Sequence, residues 1–350
     1  MNAMLSPLPP LSPAAPWLAP LAGWSDLPFR LLCREYGAAV CCTEMVSAKG
    51  LVYESESGGR ATHDLLATNE ADAPLVVQVF GDDPLFVERA VSLLAERGYR
   101  YFDCNMGCSV PKVTKAGAGA ALLKNPERAL SVGRAMLRAA EPFGARVGFK
   151  LRLGWETGAV VCFDLGQRLE DAGASWLTLH PRSAGQGFSG LADREILAEF
   201  VRRIHVPVIA SGDLWTAEDG LACVRETGVS TVMYARGALR DPAVFARYLR
   251  LAAPGLGPGV SVRAEDEPMT ELRDRMLRHA ALARTYSSPH TALLKMRTAI
   301  PRYIRHVEGA SRLRKTIIGC RDWDAFEHAL HGYFSAIAGG ESDVHSASEA

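Results

Sequence analysis

Residues 103–111 read D-C-N-M-G-C-S-V-P, two cysteines four positions apart with Asn105-x-Gly107 leading into Cys108. A thiol placed this way could ligate a metal, form half of a disulfide, pack as a small hydrophobe, or act on a substrate from the end of a strand. The eight cysteines (33, 41, 42, 104, 108, 162, 223 and 320) follow no repeating spacing, which in a chain read as cytoplasmic favours free thiols over a disulfide framework. No C-x-x-C pair and no H-x-x-x-H accompanies them, so no metal site is expected. Lys150 is the second residue that asks for a chemical explanation. It interrupts the apolar run VGFKLRLG, where a buried lysine is costly unless an anion faces it.

The elements that must position these residues alternate along the first 240 positions. Short apolar, β-branched runs lie at 17–23, 38–45, 74–81, 99–107, 146–154, 175–182, 206–213 and 230–237, and amphipathic helical stretches separate most of them. Pro84 and Pro126 sit where a first helical turn accepts proline, and Gly98 where a helix ends. Continuous apolar runs suit parallel strands covered on both faces, and eight such units predict a (β/α)8 TIM barrel rather than a doubly wound sheet.

Barrel sites form at the C-terminal ends of strands. Those ends carry Ser25, Asp26, Glu44, Gln78, Asn105, Cys108, Lys150, Arg152, His180, Arg182, the turn Ser211-Gly212-Asp213, and Ala235-Arg236-Gly237. The last two are glycine-containing turns leading into helical segments, the usual phosphate locus of a barrel, and Arg236 adds a bidentate partner. A phosphorylated cofactor across the mouth is therefore expected, with Gln78 and Lys150 at its ring and Arg236 at its phosphate. No G-x-G-x-x-G follows the first strand, so a Rossmann nicotinamide domain is not indicated, and Gly117-x-Gly119 reads as a flexible loop.

Composition and charge set the wider frame. The 350 residues are 48% hydrophobic with zero formal net charge, an ordinary globular balance. No apolar run approaches the ~18 residues of a membrane span, and MNAMLSPLPPLSPAAP lacks the layout of a signal peptide. Residues 1–16 read as a Pro-rich extension, 17–250 as the barrel, 251–268 as a linker, 269–338 as a smaller all-α domain and 339–350 as a disordered tail. Between Leu272 and Arg321 there are twelve Lys or Arg against two Asp or Glu, which makes a polyanionic partner a candidate.

The segments APLAGWSDLPFR, TEMVSAKGL, VVQVFG, DCNMGC, PKVTKAGAGAALLKNP, FKLRLGW, LHPRSAGQGFSG, IASGD and ARG, in that order, resemble the tRNA-dihydrouridine synthases from about Pro16 to Phe245. KMRTAIPRYIRHVEGASRLRKTI is similar, less sharply, to that family's helical tRNA-binding domain. The resemblance implies an FMN-bearing barrel that reduces the C5=C6 bond of particular uridines in tRNA, with NADPH as reductant; the chain itself is read as cytoplasmic and is expected to be monomeric. It implies Pro20, Leu21 and Ala22 against the flavin, Gln78 at its pyrimidine edge, and Lys150 near N1 and O2. Ser211, Gly212, Asp213, Ala235 and Arg236 would lie at the phosphate end, and Cys108 matches the catalytic cysteine. The family has proline directly after that cysteine; here Ser109 follows and Pro111 comes two positions later. Cys104 reads as a buried small hydrophobe.

The chemistry fits these residues. Hydride added at C6 of a pyrimidine leaves charge at C5 and O4. A thiol with an ordinary pKa of about 8.5 stays protonated near neutral pH and can donate to C5, which makes Cys108 a general acid. Asn105 would meet the uracil edge, and His180 with Arg182 would neutralise charge on flavin or substrate. Reaching a barrel mouth requires the base to leave its stack. Two rivals share parts of this pattern: a small-molecule pyrimidine flavoenzyme, which needs no basic helical appendage, and a tRNA-binding protein on a barrel that has lost its flavin.

Overall fold

The computed structural model describes residues 4–346 other than 60, 61, 253–258, 260, 262, 265, 305, 306 and 308. Its parallel strands are β1 (Trp17–Leu18), β2 (Val40–Cys42), β3 (Val46–Ser47), β4 (Leu75–Phe80), β5 (Tyr101–Met106), β6 (Arg146–Arg152), β7 (Trp176–His180), β8 (Val208–Ser211) and β9 (Thr231–Tyr234). They run in the order β2-β1-β9-β8-β7-β6-β5-β4-β3, and a further β2–β4 pairing closes the ring. The second of the eight staves is therefore broken into β2 and β3, not continuous over 38–45. Residues 43–45 bridge the break: the Thr43 hydroxyl accepts from Gln78 N–H, and the Glu44 carboxylate accepts from Gly23 N–H.

Helices α1 (Leu27–Glu35), α2 (Ala48–Ser57), α3 (Pro84–Glu96), α4 (Pro111–Thr114), α5 (Pro126–Ala140), α6 (Cys162–Asp171), α7 (Arg194–Arg203), α8 (Ala217–Thr227), α9 (Arg236–Arg240) and α10 (Val244–Ala252) surround or link the staves. This is the TIM barrel expected from the alternation. Pro84 and Pro126 open helices whose first N–H groups are capped by Asp83 and Asn125, which is why those helices begin there.

The period of two along each strand sorts residues between two cores. Outward residues such as Cys104, Phe149 and Leu177 join the layer between strands and helices. Inward residues Trp17, Val40, Cys42, Val76, Trp176, Ile209 and Met233 fill the barrel interior. Trp17 and Trp176 meet edge to face with centroids 5.6 Å apart. Gly148 faces Trp176, and a Cβ there would overlap its indole.

The Pro-rich segment does not hang free. It crosses the N-terminal ends of the strands and offers carbonyls: Pro10 to Trp17 Nε1 (2.8 Å), Pro13 to the Tyr248 hydroxyl (2.6 Å), Ala15 to the Thr231 hydroxyl (2.7 Å) and Ser6 to Arg146 Nε (2.7 Å). Proline has no N–H to satisfy, so such a strap supplies acceptors with few donors of its own to place.

Beyond the barrel, α11 (Met269–Tyr286), α12 (Pro289–Tyr303), α13 (Ala310–Gly319) and α14 (Trp323–Ser346) build a second core around Met276, Met296, Ile300, Ile317 and Phe326. The last helix extends past Ala338, where the sequence places a tail; residues 347–350, and much of the 251–268 linker, lie outside the described residues. Packing and polar contacts tie this core to the barrel, among them Arg278 to Glu35 and Asn69 to the Tyr286 hydroxyl. Arg247 and Arg275 share Glu267 and Asp241 in a buried cluster, with Arg275 to Glu267 at 2.5 and 2.6 Å. Lys295 on α12 pairs with Asp26 at 2.5 Å, at the loop leaving β1. No helix of the described residues is long and apolar enough to cross a membrane.

Gly148→Ala is expected to overpack the barrel interior and destabilise the protein by at least ~1–3 kcal/mol. Chemical denaturation measures this, and a variant as stable as the parent would mean Trp176 does not need the space.

Candidate active site

One cleft opens at the C-terminal ends of the strands. Its lining contains every residue given a role at flavin or uridine except Arg182: Pro20, Leu21 and Ala22 from the first loop, Gln78, Asn105, Cys108, Lys150 and His180 from successive staves, and Ser211, Gly212, Asp213, Ala235 and Arg236 from the last two. Ser25, Asp26, Glu44 and Gly237, also expected at the strand ends, are not part of it. Met45, Arg152, Phe188, Leu214 and Trp215 complete much of the remaining wall.

Cys108 is the one cysteine of the eight that is not buried. It sits in a turn built by Asn105, whose side-chain oxygen accepts from the N–H groups of Gly107 (3.1 Å) and Cys108 (2.9 Å). Arg152 Nε donates to the Gly107 carbonyl (2.9 Å), and Ala120 N–H to the Cys108 carbonyl (2.9 Å). Gly119 is not merely a flexible loop residue. It has φ +62°, and a Cβ there would lie 2.7 Å from the Cys108 carbonyl oxygen, so only glycine lets this loop close on the turn. Asn105, expected at the substrate, spends both ends of its amide inside the protein: Nδ2 donates to Gln78 Oε1 at 2.9 Å.

Lys150 lines the cleft with no hydrogen-bonded or ion-paired partner among the described residues. Burial pulls its ammonium down to about 8, against the opposing pull of Asp103. Asp103 lies below, its carboxyl pushed up to about 6 by burial, with the Gln78 hydrogen bond and the Lys150 charge resisting.

His180 and Arg182 do not form the charged pair that their types suggest. Arg182 is buried, and its guanidinium donates to the carbonyls of Ser189 and Gly190 and to Asp213 Oδ2 (2.5 Å). Its Nη1 also lies 3.2 Å from His180 Nε2, and a guanidinium can only donate. His180 therefore carries its proton on Nδ1. Burial, then the charges of Lys150, Arg152, Arg182 and Arg236, push its pKa from 6.5 to about 2, so the ring is neutral.

The turns after β8 and β9, where the sequence leads one to expect a phosphate, have an unusual backbone. Asp213 has φ +50°, and Gly212 φ +107° with its Cα against the His180 ring, where a Cβ would clash. The Asp213 carboxylate accepts from Arg182 and Ala192 N–H and faces Arg236 at 3.4 Å. Burial alone would raise its pKa, but those hydrogen bonds and the two arginine charges hold it below the usual carboxylate range. Its side chain thus orders two arginines. Arg236 is stacked between Phe188 (4.5 Å) and Trp215 (4.4 Å). Asp103, Phe188 and Trp215 are not among the residues expected from the sequence; the apolar pair interrupts polar loop sequence, and that is the signal by which two of them could have been found.

A pH dependence follows from His180. Its native pKa lies below the unfolded value, so between pH 6.5 and about 2 the unfolded chain binds the extra proton and stability falls as pH falls. His279, held near 4 by burial, acts in the same sense. His180→Gln should remove up to ~1.4 kcal/mol per pH unit of that slope below pH 6.5. Denaturation between pH 7 and 5 reads it, and an unchanged slope would mean that His180 titrates normally.

The geometry can be set beside known proteins. Residues 17–337 match the family described as Dihydrouridine synthase (Dus). The chain is 30% identical over 323 residues to tRNA-dihydrouridine synthase B of Vibrio cholerae, covering 92% of this chain and 96% of that protein. It is 37% identical over 225 residues to the Synechocystis sp. protein named "Probable tRNA-dihydrouridine synthase 1", covering 64% and 61% respectively. A barrel whose mouth gathers these residues, matched nearly end to end, is a member of the dihydrouridine synthase family.

Proposed function

We propose that this protein is an FMN-dependent, NADPH-driven tRNA-dihydrouridine synthase with Cys108 as the proton donor. The observation that carries this reading is the solvent-reaching thiol of Cys108 at the lip of a cleft whose other residues suit a flavin phosphate. The fit is specific. Lys150 has a cation without a partner among the described residues, suited to negative charge at the flavin N1 and O2. Gly212 packs its Cα against the His180 ring, where a Cβ would clash, so the turn meets the cleft as bare backbone. Pro20, Leu21 and Ala22 offer an apolar edge, and Gln78 has a second amide hydrogen for the pyrimidine side of the ring. The N–H groups of Gly212 and Asp213, with Ala235 and Arg236, would hold the phosphate.

When bound, FMN supplies the hydride that makes the new C6–H bond, and NADPH restores it. The protein's own residues do the rest. The Cys108 thiol gives its proton to C5, becomes a thiolate and is reprotonated from solvent, so each uridine takes one hydride and one proton. Neutral His180 contributes an Nδ1–H donor rather than a charge. Arg182 would act on substrate only through the loop it braces, since its donors are engaged.

On the helical region, Arg312, Lys315 and Arg321 are exposed and join no ion pair among the described residues. They suit tRNA phosphates, which fix position without reading sequence. The reading extends to a soluble, cytoplasmic, monomeric enzyme that uses no metal.

Cys108→Ala should keep FMN and accept electrons from NADPH at near-parental rate, because neither step uses the C5 proton. Oxidation of the reduced protein by tRNA should slow by roughly 10²–10⁴. Parental oxidation by tRNA would remove Cys108 from the acid role. The double variant Arg312→Glu/Lys315→Glu should bind tRNA more weakly and lower the salt dependence of binding by about two counterion equivalents. An unchanged salt slope would place the tRNA elsewhere.

A further inference from the structure

The residues beneath the cysteine turn form one directed chain. Asp103 Oδ2 accepts from Gln78 Nε2 at 2.7 Å, Gln78 Oε1 accepts from Asn105 Nδ2 at 2.9 Å, and Asn105 Oδ1 accepts from the N–H groups of Gly107 and Cys108. The chain runs from a buried carboxylate on β5, across to β4, back to β5 and out to the lip of the cleft. Asp103 is 1% exposed and does not line the cleft.

Two of the three side chains are amides. Each has a donor end and an acceptor end of nearly equal size, so a half-turn reverses it at little steric cost. A carboxylate has acceptors only. Placed at the closed end, it obliges Gln78 to present nitrogen downward and oxygen to Asn105, and this obliges Asn105 to present oxygen to the turn. Reversed, Asn105 would set its NH₂ against two backbone N–H groups, and the turn that carries Cys108 would lose its acceptor. Lys150, beside Asn105 in the β5–β6 register, supplies the positive charge that favours ionised Asp103.

We propose that Asp103 is a positioning residue whose acceptor-only carboxylate sets the direction of both amides and thereby fixes the Cys108 turn. Its importance for catalysis rests on the proposed role of Cys108; the geometry itself does not.

The test reads the turn directly, without substrate. In Asp103→Asn, nearly the same shape can donate as well as accept, so both amides become reversible. Hydrogen exchange at Gly107 and Cys108, measured on the purified holoprotein, should accelerate about tenfold, the loss of one ordinary hydrogen bond. The amides of Arg146–Arg152 should keep parental protection. The swap Asp103→Asn/Gln78→Glu moves the acceptor-only group one place along the chain. The side-chain amides at positions 103 and 105 would then both donate to the carboxylate at position 78, and Asn105 would again present its oxygen to the turn. Protection at Gly107 and Cys108 should return. A role in packing alone would not be rescued by the swap. Parental exchange in Asp103→Asn, or no recovery in the swap, overturns the proposal. If the single variant does not fold, the swap decides: parental protection supports the proposal, and failure to fold or to protect ends it. Because exchange is read without tRNA, a failure here is distinguishable from a failure of Cys108 as acid.

Discussion

Two tryptophan side chains share the interior of a narrow barrel, and the space for one of them, Trp176, comes from one missing Cβ. Trp176 lies over Gly148 on the neighbouring strand, and Trp17 meets it edge to face. Their bulk fills the lower barrel with apolar matter. The next inward positions form a polar layer above them, in which Gln78, Asn105 and Lys150 reach the mouth while Asp103 and Thr178 stay buried beneath. A polar layer on an apolar floor is electrostatically exposed to itself. That is why burial moves Asp103 up and Lys150 down, and why each residue there depends on the orientation of the next.

The helical region is attached through charge as well as through packing. Arg247, Arg275, Asp241 and Glu267 balance one another where the barrel's last helix meets α11. Taking four charges out of water is costly. Such a cluster is poor evidence for stability, but removing any one member would strand the others. It acts as a directional fastener. The Lys295–Asp26 pair adds a point where the chain leaves β1, and Arg278–Glu35 another along α1, so the orientation of the basic helices relative to the mouth is specified at several places.

Much of this was legible from the chain. Alternating textures predicted eight strand–helix units, and polar residues at strand ends are where a barrel puts its mouth, so nearly all the expected residues converge there. What could not be read was which polar residue meets which. Arg182 and Asp213 are 31 positions apart in sequence, and their bond turns both away from simple ligand roles. Asn105 sits where a substrate contact would be expected, yet local geometry gives its amide to the turn two and three residues on. Gly119 shows the same limit: flexibility is visible in a sequence, but close approach to a carbonyl is not. The broken second stave was hidden because an apolar run does not reveal where pairing lapses.

Seven of the eight thiols are sealed in the cores, and Cys108 alone reaches solvent. The native protein thus carries a unique chemical handle, obtained without engineering. A maleimide dye or a nitroxide would attach at a single known position on the rim, and its emission or line shape would report what enters the mouth and when it leaves. The same selectivity marks the molecule's point of oxidative vulnerability, since peroxide meets that sulfur before any other cysteine.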